Sequence, residues 1–147
     1  MILLPQDFKE FLKLLNAKQA EYLLIGGYAV GFYGYPRPTG DMDIWISATP
    51  ENAGKVIAAL EEFTSAPLDL PVDLFLKENS IVRMGTPPFR LEVITSISGV
   101  SFEECYSERV TAMIDETEVS IINLRHLKIN KKASGRFKDL NDLENLP

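Results

Sequence analysis

The first third of the chain alternates between patterns typical of helices and of buried strands. Residues 5–18 place apolar side chains, including Phe8, Phe11 and Leu15, at helical spacing, which predicts an amphipathic helix. The run "EYLLIGG" then predicts a short buried strand that ends at a glycine pair, and "YAVGFYG" is compatible with a short helix. Two prolines and a glycine make the following "YPRPTG" a loop.

The next segment contains the clearest pair of elements. Residues 41–47, "DMDIWIS", alternate and are rich in strand-forming side chains, so they predict a second strand. Residues 49–63 predict a helix, because Thr49 can cap its N-terminus and Pro50 suits its first position. Residues 65–80 are compatible with turns and a short helix.

The second half of the chain predicts more strands and then helices. "IVRMG" and "FRLEVITS" indicate two strands separated at Pro87 and Pro88, "FEECYS" a short helix, and "RVTAMI" and "EVSIIN" a hairpin. Two helices joined at "SGR" complete the chain. This order predicts an α+β (α/β) domain over residues 1–147, with a small mixed sheet flanked by helices.

Composition excludes several classes of protein. The 147 residues are 46% hydrophobic and 24% charged, and they contain no apolar run of 18 residues, so we expect a cytoplasmic protein without a membrane span. A single cysteine, Cys105, excludes an internal disulfide and a CxxC metal site. The only histidine, His126, lacks partners for a triad or a histidine zinc site, and we predict it on a helix surface.

The formal charge of −6 is unevenly distributed. Residues 125–138 contain no acid and six of the fifteen Lys and Arg residues, whereas the remaining nine share the rest of the chain with all 21 acids. This pattern suits a small anionic ligand held locally better than a long duplex. The six cations are Arg125, Lys128, Lys131, Lys132, Arg136 and Lys138.

Two aspartates form the first candidate for chemistry. Asp41 and Asp43 are two residues apart on a predicted strand, so their side chains leave the same face with Cα atoms roughly 6–7 Å apart. Such a pair can share a hard cation, although an aspartate at a strand entrance is also a common turn residue. An EF-hand loop is excluded, because Trp45 stands where a further oxygen ligand is required.

A glycine pair forms the second candidate. Gly26 and Gly27 lie between a predicted strand and a predicted helix, where the backbone can approach a phosphate closely and offer unpaired N–H groups. A plain tight turn is the alternative. The sequence contains neither a Walker A loop nor a GxGxxG fingerprint.

Together these motifs resemble the nucleotidyltransferase superfamily typified by DNA polymerase beta, and within it the small stand-alone members. The signature consists of Gly26-Gly27, Asp41-Met42-Asp43 and a carboxylate on a later strand, here Glu92. The phrases "GYPRPTGDMD" and "LKINKKASGRFKDLNDLENL" extend the resemblance over residues 21–146. It implies a polymerase beta palm-like fold.

The resemblance also implies residue roles. Asp41, Asp43 and Glu92 would be the catalytic residues and the ligands of one or two Mg²⁺ ions, which Mn²⁺ can replace. The residues expected to bind the nucleotide are Gly26, Gly27, Arg37, Thr39 and Lys128, with Lys128 the first choice for a phosphate contact.

The activity implied is transfer of a nucleoside monophosphate from a nucleoside triphosphate such as ATP to an acceptor, which is a tRNA, a protein or a small molecule. Two positions depart from the family: Glu92 replaces the usual aspartate, and Tyr33 stands where many relatives have histidine. A second hypothesis is therefore a nucleotide-binding or partner-binding module without turnover, such as a toxin–antitoxin component. A monomer and a homodimer both remain open.

Overall fold

A computed structural model describes residues 3–86 and 88–147, without the side chain of residue 86. The helices are α1 (Gln6–Ala17), α2 (Gly26–Phe32), α3 (Pro50–Thr64), α4 (Phe102–Ser107), α5 (Leu124–Ser134) and α6 (Phe137–Asn145). The strands are β1 (Tyr22–Ile25), β2 (Asp41–Ile46), β3 (Ile81–Thr86), β4 (Phe89–Ile94), β5 (Val110–Ile114) and β6 (Thr117–Ile121). In this part of the chain, no helix has the length and apolar character needed to cross a bilayer.

The six strands form one mixed sheet in the order β3-β4-β2-β1-β6-β5. Strand β2 runs parallel to β4 and antiparallel to β1, and β1 runs parallel to β6. The outer pairs, β3 with β4 and β5 with β6, are antiparallel hairpins. The observed sheet and its flanking helices confirm the predicted α+β class.

The core contains the apolar side of α1 and the central strands. Phe8, Phe11 and Leu15 of α1 are buried, as are all four residues of β1. Each large apolar side chain buried in this way contributes about 2 kcal/mol to folding. Burial of β1 on both faces explains its continuous apolar run.

The N-terminus of α3 fixes the ends of β1 and β2 relative to each other. The Thr49 hydroxyl accepts a hydrogen bond from the Asn52 backbone N–H at 3.3 Å, as expected for an N-cap. The buried Asn52 side chain donates to the carbonyls of Glu21 and Ser47, both at 2.9 Å. The strand that carries the two aspartates is therefore anchored at its far end.

The helices and strands expected from the sequence are all present, and the structure adds two details. Residues 65–80 contain a short 3-10 helix, Val72–Phe75. Strands β3 and β4 pair directly across the proline-containing break, and their ladder extends to Thr86 opposite Phe89. Pro87, on which half of the predicted break falls, lies outside the described residues.

Candidate active site

Three adjacent strands present charged side chains on one face of the sheet. The parallel register of β2 and β4 places Asp41 opposite Arg90 and Asp43 opposite Glu92. The antiparallel register of β3 and β4 places Arg83 opposite Glu92. Because side chains two residues apart on a strand share a face, three carboxylates and two guanidinium groups converge there.

Gly26 packs directly on the deepest of these carboxylates. Its φ of +70° lies in the left-handed region, and a Cβ atom at this position would clash with Oδ2 of Asp43. The neighbouring Gly27 approaches the Thr39 side chain, which a Cβ atom would meet at 3.0 Å. The glycine pair is therefore required by close approach of the backbone to both polar side chains.

Asp43 lies in surroundings that disfavour its ionised form. Burial raises the pKa of its carboxyl group from 3.8 to about 7, with further contributions from the nearby Glu92 and Asp41 carboxylates, and Lys138 opposes the rise. Within the described part of the chain, the buried Oδ1 atom of Asp43 has no hydrogen-bond partner. Such a group requires a proton or a cation.

The two other carboxylates are each paired with an arginine. Arg90 Nε lies 3.2 Å from Asp41 Oδ1, and its Nη2 lies 3.4 Å from Oδ2. Arg83 Nε lies 2.9 Å from Glu92 Oε1. The arginines therefore compensate the charges at the two sides of the cluster, while Asp43 between them keeps an unpaired oxygen.

A cavity of about 620 Å³ opens over this cluster. One wall is the charged face of β2, β3 and β4. The opposite wall comes from α5 and the start of α6 and carries Lys131, Arg136 and Lys138. An acidic floor therefore faces a basic wall. This arrangement suits an anionic ligand that binds together with a metal ion.

Buried ion pairs hold the basic wall in place. Lys131 lies 3.2 Å from Asp139 and 3.0 Å from Asp142, and all three side chains are nearly inaccessible to solvent. Arg37, in the loop before β2, forms a forked contact with Asp142 at 2.8 and 2.9 Å. Burial disfavours ionised Asp142, but the hydrogen bonds from Arg37 and Lys131 hold its pKa below the ordinary value. These pairs link α5, α6 and the loop that precedes the aspartates.

The cavity brings together most of the residues that the sequence singles out. Those that line it are Gly26, Gly27, Arg37, Thr39, Asp41, Asp43 and Glu92.

Lys128 does not lie at the cavity, contrary to its predicted role. On a helix with 3.6 residues per turn, Asn130, Lys131 and Ser134 face the cavity, whereas Lys128 lies on the adjacent side of α5. Its amino group contacts the carbonyl of Pro147 instead. The cations of the same segment that line the cavity are Lys131, Arg136 and Lys138.

Sequence patterns did not single out the arginines beside the carboxylates. Arg90 lies two residues before Glu92, so the two side chains share a face of the strand. This spacing is the sequence signal that indicates an arginine beside the carboxylates. Arg83 becomes visible only when β3 and β4 are known to form a hairpin in this register.

His126 is buried, so its predicted position on a helix surface is wrong. Its Nε2 atom lies 3.1 Å from Nη2 of Arg125, 3.6 Å from Glu108 and 3.8 Å from Glu104. The two glutamates and the histidine are close enough together to bind a metal ion. The Arg125 guanidinium already supplies a cation at this cluster, which lies away from the cavity.

Comparison of the whole structure with solved structures finds several with the same fold, among them two described as nucleotidyltransferases. A Thermotoga maritima protein assigned as a nucleotidyltransferase is 12% identical in sequence, with a TM-score of 0.63 over 93% of this chain and 88% of its own. The lincosamide antibiotic adenylyltransferase LnuA, with lincomycin bound, is 15% identical, with a TM-score of 0.57 over 97% of this chain and 96% of its own.

Comparison by sequence adds no closer relative. No protein-family model and none of the curated proteins matches the sequence. The structural likeness covers almost the whole chain and includes the mixed sheet and its flanking helices. The chain therefore has the fold of a small nucleotidyltransferase.

Proposed function

We propose that this protein is a metal-dependent nucleotidyltransferase, which moves a nucleoside monophosphate from a nucleoside triphosphate to a hydroxyl-bearing acceptor. One observation carries the proposal: Asp41, Asp43 and Glu92 meet on the floor of a cavity whose opposite wall is basic. The fold shared with LnuA and the Thermotoga maritima protein supports it.

The residues present fit a hard divalent cation. Asp41, Asp43 and Glu92 offer carboxylate oxygens, which Mg²⁺ and Mn²⁺ prefer, and the unpaired Oδ1 of Asp43 is a buried oxygen in need of a cation. These three residues would hold one or two ions. A bound Mg²⁺ would polarise the α-phosphoryl group and lower the pKa of the acceptor hydroxyl.

Other residues of the cavity suit the triphosphate. Lys138 supplies positive charge opposite the carboxylates, and so does Arg136, whose guanidinium pairs with Asp139 but is 63% exposed. The backbone at Gly26 and Gly27 can approach phosphate oxygens without steric hindrance. Thr39 adds a hydroxyl beside the glycines. Arg37 is committed to Asp142, so we assign it to holding the loop, with phosphate contact secondary.

The reaction follows from this arrangement. The acceptor oxygen attacks the α-phosphorus as its proton passes to solvent, the bond from that phosphorus to the oxygen bridging it to the β-phosphate breaks, and pyrophosphate leaves. The protein contributes by placing the reactants and by stabilising charge that develops on the phosphates. A small molecule, a tRNA and a partner protein are the acceptor classes to test, the first because the name of LnuA describes an enzyme that acts on an antibiotic.

A second candidate is a module that binds a nucleotide, or a partner as a toxin–antitoxin component, without turnover. The Arg83–Glu92 ion pair favours it, because this pair occupies the third carboxylate. In this alternative, Asp41 and Asp43 would still bind a metal–nucleotide complex, but Glu92 would remain with its arginine.

Incubation with α-labelled ATP, CTP, GTP or UTP, Mg²⁺ and cell extract distinguishes the candidates. We expect label to move to an acceptor with wild-type protein and to fall at least about a hundredfold with Asp43→Asn, because a charge-bearing ligand is lost. Asp69→Asn is the matched control, since Asp69 is exposed in a loop outside the cavity. Tight nucleotide binding without transfer of label would favour the module.

A further inference from the structure

Arg90 is placed where it competes directly with a metal ion. Its guanidinium reaches both carboxylate oxygens of Asp41, at 3.2 and 3.4 Å, and it lines the same cavity. We propose that Arg90 is an exchangeable counter-ion: it neutralises Asp41 in the free protein and moves to the triphosphate when metal and nucleotide bind together. This inference rests on the proposed function.

Arg90 is held loosely at Asp41. The Arg90 and Asp41 side chains are 36% and 37% exposed, and the contacts between them are long for a charged pair. By contrast, Lys131 and Asp139 are 5% and 0% exposed in their ion pair. A half-exposed ion pair contributes little to stability. Arg90 can therefore leave Asp41 at low cost, whereas the ion pairs of the basic wall are fixed.

A metal ion and the Arg90 guanidinium would compete for Asp41. A Mg²⁺ ligand oxygen lies at about 2.0–2.1 Å from the ion, and the octahedral shell around the ion excludes a second cation from the same side of the carboxylate. Arg90 contacts both oxygens of Asp41, and both residues line the cavity. A metal ion at Asp41 would therefore compete with the guanidinium for the same two oxygens.

A bound triphosphate would give Arg90 a new anionic partner. The guanidinium fork matches phosphate oxygens as well as it matches a carboxylate. Arg90 lines the cavity across from Arg136 and Lys138, so a triphosphate between the two walls lies within its reach. Metal alone must displace Arg90 without compensation, but metal with a triphosphate offers it a second anionic partner. Metal and nucleotide are therefore expected to bind cooperatively.

The test measures Mn²⁺ binding from the electron paramagnetic resonance signal of the free ion, with and without a non-hydrolysable nucleoside triphosphate analogue. Wild-type protein should bind Mn²⁺ weakly alone and more tightly with the analogue. Arg90→Gln should bind Mn²⁺ alone about tenfold more tightly, because a unit charge a few ångströms from the ion is gone. The gain on adding the analogue should shrink by about the same factor.

Two further variants complete the experiment. Arg90→Ala should behave as Arg90→Gln, which shows that the lost charge matters and not the shape of the new side chain. Lys13→Gln removes one charge from the exposed side of α1, outside the cavity, and should change the Mn²⁺ affinity less than about twofold. Circular dichroism verifies that each variant is folded.

Unchanged Mn²⁺ affinity and unchanged cooperativity in folded Arg90→Gln protein would overturn the inference, and so would a lack of Mn²⁺ binding by that variant. The outcome is separable from that of the transferase assay. Tighter Mn²⁺ binding by Arg90→Gln, with no transfer from any triphosphate, would refute the transferase and leave the counter-ion role standing. Transfer by wild-type protein, with unchanged Mn²⁺ binding in Arg90→Gln, would support the transferase and refute the counter-ion role.

Discussion

Gly26 and Asp43 lie in close contact at the cavity. The backbone of Gly26 has a φ of +70° and leaves no room for a Cβ atom beside the Asp43 carboxylate. Asp43 in turn is partly buried, and its Oδ1 atom is buried without a hydrogen-bond partner in the described part of the chain. The contact holds the Asp43 carboxylate of β2 against the junction of β1 and α2, at a cost in stability.

Gly26→Ala tests this contact. We expect a loss of about 2–4 kcal/mol in the free energy of unfolding, because the left-handed backbone and the clash with Asp43 are both unfavourable for a side chain. Gly54→Ala is the control: a Cβ atom there meets no other atom within 4 Å, so it should leave stability equal or raise it by about 1 kcal/mol. Denaturant unfolding measures both. Equal stability of Gly26→Ala and wild type would contradict the account.

The pKa of Asp43 predicts a pH-dependent stability in the metal-free protein. Since its pKa is raised from 3.8 to about 7 on folding, the folded protein holds the proton more tightly than the unfolded chain does. The stabilisation that this carboxyl group provides is complete below about pH 3.8 and is lost as the pH rises to about 7. Above that pH, ionised Asp43 destabilises the fold.

Asp43→Asn should therefore be more stable than wild type by about 2 kcal/mol at pH 8, because the buried charge is removed. The difference should shrink towards zero near pH 4, where wild-type Asp43 is protonated. Thermal unfolding in metal-free buffer across this range provides the measurement. A variant less stable than wild type at pH 8, or a difference that does not depend on pH, would show that Asp43 is not in the environment described.

At the scale of elements, ion pairs between distant segments organise the cavity. Asp142 on α6 accepts hydrogen bonds from Arg37, in the loop before β2, and forms an ion pair with Lys131 of α5. The loop and the two C-terminal helices therefore meet at one buried carboxylate. Removing that carboxylate leaves Arg37 without its partner and Lys131 with Asp139 alone.

Asp142→Ala should lower the free energy of unfolding by about 3 kcal/mol, because Arg37 and Lys131 both lose a buried partner. Glu144→Ala on the same helix should change it by less than about 0.5 kcal/mol, since Glu144 is exposed. Differential scanning calorimetry compares the two variants. Similar melting temperatures would mean that the buried pairs do not hold α6.

The same scale shows what a sequence can and cannot predict. The alternation in "DMDIWIS" and the cap at Thr49 predicted β2 and α3, because these signals are local. The pairing of Arg37 with Asp142 joins residues 105 positions apart, and no local pattern encodes it. The same holds for Lys128 and Lys131: which of them faces the cavity depends on the side of α5 that packs against the rest of the fold.

At the scale of the whole molecule, an acidic chain presents one cavity wall that is basic. That wall and the three carboxylates are 30 or more residues apart in the sequence, and the mixed sheet with its C-terminal helices brings them together. The arrangement favours a small, strongly charged anion that carries a metal ion. A nucleoside triphosphate has this chemistry, and two proteins of the same fold are described as nucleotidyltransferases.

The identity of the bond that breaks tests the central claim most directly. Wild-type protein with Mg²⁺, extract and a nucleoside triphosphate labelled in either the α- or the γ-phosphate should transfer only the α-label and release pyrophosphate. Asp43→Asn should do neither, and Asp69→Asn should match wild type. Transfer of the γ-label, or tight nucleotide binding with neither transfer nor pyrophosphate for any of the four nucleotides, would contradict the account.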